Sequence, residues 1–188
     1  MNILFEYLNK IIPTTEKEIK EVTPFLKIRT IEKDDFLLKA NQISKSMAFI
    51  KSGCFRSFHI KSNGTSTNIM LNSEQEFISD LESFISQSPS NLFIQAIEKS
   101  ELITISKIDL DRLCEKSLYW NKLSRRLTED VFIISKRRLE TLLYKTPKER
   151  YIELLNDSPE FFNKYSLTDI SSFIGVTPQS LSRIRTTI

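Results

Sequence analysis

At 188 residues, with 40% hydrophobic and 27% charged side chains, the chain has the composition of a soluble globular protein and can bury a real core as one large domain or two small ones. No apolar run approaches bilayer-spanning length, and the opening MNILFEYLNKII lacks a cationic n-region and a cleavage site. A membrane role is therefore not expected, and with only Cys54 and Cys114 a reducing cytoplasm is the default location. The net charge of +3 is unevenly placed: residues 1–120 hold 15 Lys and Arg against 16 Asp and Glu (−1), whereas residues 121–188 hold 12 against 8 (+4).

In chain order, residues 2–12 and 15–28 show helical spacing of apolar side chains, and Thr15 with Glu18 caps the second segment. From about 29 to 107 the texture becomes short β-type segments: TIEKDDFLLKA, SMAFIKSGCFRSFHI, TSTNIML and FIQAIEKSELITIS. Asn63-Gly64 signals a hairpin with a type I′ turn. FISDLESFISQSP reads as a short helix ended by Pro89. Several short strands without long intervening helices predict an antiparallel barrel or jelly roll. His59, the single histidine, sits in an alternating segment and reads as an exposed strand residue rather than a ligand. With two cysteines it builds no convincing zinc site, and two cysteines alone hold no iron–sulfur cluster. No cofactor or metal is expected.

Residues 120–144 predict a helix on the order of 36 Å long. Its apolar set of Trp120, Leu123, Leu127, Val131, Ile134 and Leu142 is widened by Phe132, Ile133, Leu139 and Leu143. So broad a face needs cover on more than one side, which the β domain and a second copy of the chain could supply. Lys145 breaks the helix, and Thr146-Pro147-Lys148-Glu149 is a capping box that starts the next one.

Tyr165 to Ile188 (YSLTDISSFIGVTPQSLSRIRTTI) carries the densest signal. Ser166 and Asp169 cap a helix whose Ile170 and Ile174 face inward, and Ser171 is small enough for close helix approach. Gly175 supplies the left-handed turn, and Thr177-Pro178 starts a second helix stapled by Val176 and Leu181. Leu181 and Ile184 pack back, which leaves Gln179, Ser180, Arg183 and Arg185 outward beside Thr177. Gln bonds adenine bidentately, Arg bonds guanine or phosphate, and Ser and Thr bond either. The pattern is a helix-turn-helix sized for the DNA major groove.

Barrel, long helix, hinge and helix-turn-helix in this order resemble the CRP/FNR family of transcription regulators. The resemblance rests on KDDFLLKANQ, AFIKSGCFRSF, the Asn-Gly hairpin and FISDLESF in the sensor, and on LTDISSFIGVTPQSLSRI in the effector. It implies an α+β architecture of three parts: a cyclic-nucleotide-binding-like β-barrel sensor over 1–119, a long dimerisation helix and hinge over 120–145, and a helix-turn-helix domain over 146–188. It also implies a homodimer joined through 120–144, whose paired recognition helices read half-sites about 34 Å apart on double-stranded DNA. The chain stops at Ile188, so no C-terminal wing is expected, and Gln179 stands where many members carry glutamate.

By the same resemblance the effector pocket would be built from Ser79, Asp80, Leu81, Ser90, Asn91 and Ser135. Where cyclic-AMP binders carry Gly-Glu-Leu and Arg-Ser, this chain has Ser79-Asp80-Leu81 and Ser90-Asn91. Asp80 can still accept from a ribose hydroxyl, but Ser90 cannot replace an arginine against phosphate. Tight cyclic-nucleotide binding is not expected; an unknown small-molecule effector and an empty barrel kept for dimerisation both fit. Lys51, Arg56 and Lys61 read equally as surface charges or as contacts to RNA polymerase. The leading function is sequence-specific DNA binding in transcription regulation, and the alternative is a ligand-sensing or protein-interaction module without a DNA role. Catalysis is poorly supported, because the chain has no second histidine, no Gly-x-Ser-x-Gly elbow and only Gly53, Gly64 and Gly175.

Overall fold

Two helices open the chain, α1 (Asn2–Ile11), which has no side-chain cap, and α2 (Glu16–Val22), which starts in a reciprocal capping box between Thr15 and Glu18. The computed structural model describes residues 1–187; Ile188, where the chain was expected to end without a wing, lies outside them. The expected continuation of α2 to residue 28 is cut short. A 3₁₀ turn at Thr23–Phe25 replaces it, because Pro24 lacks the amide proton and crowds the preceding turn.

Eight strands follow: β1 (Lys27–Ile31), β2 (Phe36–Leu38), β3 (Ser46–Ser52), β4 (Phe55–Ile60), β5 (Ser66–Asn72), β6 (Phe77–Ile78), β7 (Phe93–Ala96) and β8 (Ser100–Ser106). The short helix α3 (Leu81–Ser86) interrupts them between β6 and β7. They form two antiparallel sheets in the orders β1-β8-β3-β6 and β2-β7-β4-β5, a jelly-roll-like pair rather than a closed barrel. Ile50, Phe55, Ile94 and Leu102 fill the space between them. The other side of β3 is buried as well: Phe49 meets Tyr7 of α1 with ring centroids 5.3 Å apart. Ala48, Phe49 and Ile50 are therefore buried in succession where a half-exposed strand would alternate.

The β4–β5 hairpin forms where Asn63-Gly64 predicts it, but with a different turn. The Lys61 amide donates to Thr65 and the Gly64 amide to Lys61, and of the Asn-Gly pair only Gly64 (φ +82) has positive φ. This is a type I turn closed by a left-handed glycine, not type I′. Gly53 (φ +97) is required by space as well as by conformation, since an added Cβ would lie 2.1 Å from Ser100 Oγ.

β8 runs directly into α4 (Lys107–Lys116), a helix the apolar periodicity does not reveal. Its signal is the Ser106-x-x-Asp109 cap, whose Ser106 hydroxyl accepts the Asp109 amide. The long helix α5 (Leu118–Tyr144) begins two residues before its expected start. Trp120 and Leu123 are buried with Leu4, Leu8, Val22 and Leu113, whereas Phe132, Leu139, Leu143 and Tyr144 stand exposed. Lys145 is extended, and α6 (Pro147–Asp157) begins at the expected Thr146–Glu149 capping box. A short helix, α7 (Phe161–Lys164), leads to α8 (Leu167–Ile174) and α9 (Pro178–Thr186). Among the described residues no helix is long and apolar enough to cross a membrane.

Candidate functional site

The α8–α9 pair forms as its residues dictate. Gly175 (φ +76) closes α8 in a Schellman arrangement: the Val176 amide donates to Ser171 and the Gly175 amide to Ser172. Thr177 caps α9 by accepting the Ser180 amide at 3.2 Å. Leu181, Ile170 and Ile174 are buried in one cluster with Tyr151 and Phe161, and Val176 and Ile184 pack against it. Ser171 is buried at the helix crossing. Thr177, Gln179, Ser180, Ser182, Arg183 and Arg185 are all exposed, and α9 carries no acid. The described residues thus present a cationic, hydrogen-bonding helix face supported from behind by an apolar cluster.

The back of the pair is held by the second sheet. β5 is an edge strand, and its outward polar groups are taken by the C-terminal helices. The Asn68 amide donates to Ser172 Oγ at 2.9 Å, and Tyr165 donates its hydroxyl to the Asn72 carbonyl at 2.6 Å. Asn68 Nδ2 donates to the Asp169 carbonyl at 3.1 Å and to its carboxylate at 3.2 Å. Asp169 also accepts from Arg56 Nη1 at 3.0 Å, and Gln95 Oε1 holds that guanidinium from behind at 3.0 and 2.7 Å. The Arg56 guanidinium further lies 4.5 Å from the Phe58 ring centroid. Asp169, read from sequence only as half of a cap, thus joins α8 to β4 and β5. Arg56 is engaged inside the molecule and is not a free surface charge, and Lys51 pairs with Glu101 at 2.7 Å. Cys54 and Leu71 complete the junction within the same apolar cluster. Burial, foremost, pushes the Cys54 thiol up to about 12 and raises the Tyr165 phenol, so both stay protonated and neutral at physiological pH.

Between β5, β6, α5, α6 and α8 lies a cavity of about 690 Å³. Met70, Phe77, Leu92, Val131, Ile134 and Phe173 give it an apolar wall. At one end Arg138 stacks on the Phe173 ring, 3.8 Å from its centroid, and donates to the Phe173 carbonyl. Burial, and secondarily the neighbouring Arg150, lowers the Arg138 guanidinium to about 10, which leaves it cationic at neutral pH.

Residues 28–117 match the cyclic nucleotide-binding domain family. Solved structures extend the likeness to most of the chain. FixK2 from Bradyrhizobium japonicum aligns with a TM-score of 0.76 at 15% identity, over 86% of this chain and 83% of its own. A CooA variant from Carboxydothermus hydrogenoformans gives 0.70 at 14%, over 96% and 83%. CLP of Xanthomonas campestris, a c-di-GMP responsive global regulator, gives 0.65 at 15%, over 90% and 89%. The chain has the CRP/FNR fold. No curated protein sequence matches it.

Within the CRP/FNR fold, four of the six pocket residues named from sequence reach the cavity: Ser79, Asp80, Leu81 and Ser135. Asp80 also caps α3, accepting the Ser83 amide at 3.4 Å. Ser90 and Asn91 do not line it. The Ser90 hydroxyl is buried, accepting the Leu92 amide at 2.9 Å, and the Asn91 carbonyl meets His59 Nδ1 at 2.7 Å. The loop between α3 and β7 therefore folds on itself and on β4, and brings neither side chain to the cavity. Sequence reasoning missed Arg138, Phe173 and Arg150 as cavity residues, because their grouping depends on how α5, α6 and α8 pack.

Proposed function

We propose that the chain is a sequence-specific, double-stranded-DNA-binding transcription regulator, acting as a homodimer joined through residues 120–144 and responding to a small molecule held by its sensor. The observation that carries this reading is the exposed face of α9. Gln179, Arg183 and Arg185 stand free on a helix seated on an apolar cluster, with Thr177 and Ser180 at its start. Base-edge readout requires a rigid helix with bidentate donors on its open side, and phosphate contact requires cations beside them. The +4 balance of residues 121–188 adds the electrostatic attraction that draws such a helix to a duplex. The dimer reading draws on Phe132, Leu139 and Leu143, spaced 7 and 4 residues apart along one exposed stripe of α5, where large apolar side chains otherwise lie in water.

Selection of bound sequences from a random duplex pool at moderate salt tests the proposal. The expected result is an enriched site of two-fold symmetry. A pool that shows no enrichment favours instead a ligand-sensing or protein-interaction module without a DNA role.

A further inference from the structure

The charges around the 690 Å³ cavity are lopsided. Carboxylates of Glu76, Asp80, Glu82, Asp130, Glu153 and Asp157 line it, against the cations Arg138 and Arg150. Lys145 answers Glu153, and Arg126 approaches Asp130 at 3.7 Å, which still leaves acids in excess. Both lining guanidiniums are partly engaged by backbone carbonyls. Arg138 donates to the Phe173 carbonyl, and Arg150 donates to the carbonyls of Ile174 at 2.7 Å and Lys145 at 2.6 Å. Moving either arginine onto a ligand would strip the last turn of α8, or the link before α6, of its partner. A carboxylate or phosphate entering here therefore meets an excess of negative charge along the wall. An uncharged or cationic head finds acceptors, and an apolar body finds Met70, Phe77, Ile134 and Phe173. The volume falls within the range of about 300–1,000 Å³ usual for small-molecule sites.

We propose that this cavity binds a small molecule with an apolar body and a neutral or cationic head, and discriminates against anions, cyclic nucleotides included. The inference rests on reading the chain as a ligand-responsive regulator, and it names the chemical class of the ligand. Because α8 supplies Phe173 and Ile174 to the wall, such a ligand touches the sheet, the long helix and the helix-turn-helix at once.

Competition with Nile red, a neutral apolar fluorophore, on the full chain tests it. 1-Decanol, decylamine and decanoic acid share one tail and differ in head charge, and cyclic AMP is the fourth competitor. Decanol and decylamine are expected to displace the dye at concentrations at least about tenfold below those needed for decanoate or cyclic AMP. Ile134→Trp, which fills the cavity, is expected to weaken dye binding. Val131→Arg, at an exposed helix position on its rim, is expected to narrow or reverse the preference against decanoate. Equal or tighter binding of decanoate or cyclic AMP overturns the inference, as does unchanged dye binding in Ile134→Trp with the helical signal intact. The readout contains no DNA, so failure of the duplex selection sinks the regulator reading without altering this result.

Discussion

The guanidinium of Arg56 on β4 donates from Nη1 to Oδ1 of Asp169 on α8 at 3.0 Å, joining residues 113 apart in the chain. Both side chains are largely shielded, with 25% and 11% of their surface accessible, so the pair lies between an exposed ion pair and a buried one. Arg56→Ala leaves the Asp169 carboxylate with the Asn68 and Ser166 donors only, and about 1–3 kcal/mol of stability is expected to be lost. Thermal unfolding of Arg56→Ala, Asp169→Ala and the double variant checks this. The expected double-mutant coupling is about 1–2 kcal/mol, and strictly additive losses would show that the pair does not hold the helix.

On DNA, Arg183→Ala is expected to cost about 1–3 kcal/mol on the selected site and to relax sequence choice there. Arg185→Ala, read as a phosphate contact, is expected to weaken binding to all duplexes alike and to flatten the salt dependence. Fluorescence anisotropy across several salt concentrations separates the two. An Arg183→Ala chain as tight and as selective as the parent removes Arg183 from the reading face.

Phe132 and Leu139, 69% and 57% exposed, lie on the same stripe of α5. Paired substitution to Asp adds two charges where a second copy is proposed to pack, and sedimentation equilibrium is expected to show a monomer with unchanged helical content. The parent chain is expected to sediment as a dimer. A parent chain that is monomeric at micromolar concentration refutes the dimer.

Burial lifts the Glu76 carboxyl above its ordinary value, against the partial relief given by Asn72 and the Ser73 backbone. A carboxyl raised in the folded state favours folding while protonated, so its contribution is complete below the unfolded value of 4.5 and is lost as pH rises through the raised folded value. Denaturant unfolding over this interval is expected to show Glu76→Gln gaining on the parent as pH rises toward neutrality. The opposite trend would mean that Asn72 and the backbone outweigh burial at this site.

Leu181 is 1% exposed beneath the proposed reading face. Leu181→Ala is expected to lose about 2–5 kcal/mol and to abolish DNA binding, with Arg183 and Arg185 still present. Retained binding at full strength would show that the face does not need its apolar seat.

Much of the architecture was legible because it is written in local chemistry. Ser166, Gly175, Thr177 and Pro178 each dictate backbone geometry within a few residues, and α8 begins and ends, and α9 begins, where they require. The strand texture likewise predicts the jelly roll. The turn at Asn63-Gly64 differs in type because two dihedrals, not the dipeptide, define it. α4 escaped because its apolar periodicity is weak, although Ser106 and Asp109 marked its start. The junction of Arg56, Asn68 and Asp169 was not legible at all: each side chain has an ordinary reading alone, and only packing brings them together. Ser90 and Asn91 failed to reach the cavity for the same reason, since the Ser90 backbone pairs with Asn41 and Gln42, its hydroxyl with Leu92, and the Asn91 carbonyl with His59.

The outer rim of β5 is not bare. Its amide at Asn68 and its carbonyl at Asn72 are occupied by side chains of Ser172 and Tyr165, from a different part of the chain. Lifting those helices away would uncover a ready template for strand addition, adjoining the apolar surface of Leu71 and Cys54. Any movement that frees the C-terminal helices therefore carries a hazard of self-association, and the molecule can tolerate it only as a small slide, as a brief excursion, or with another surface ready to shield that rim.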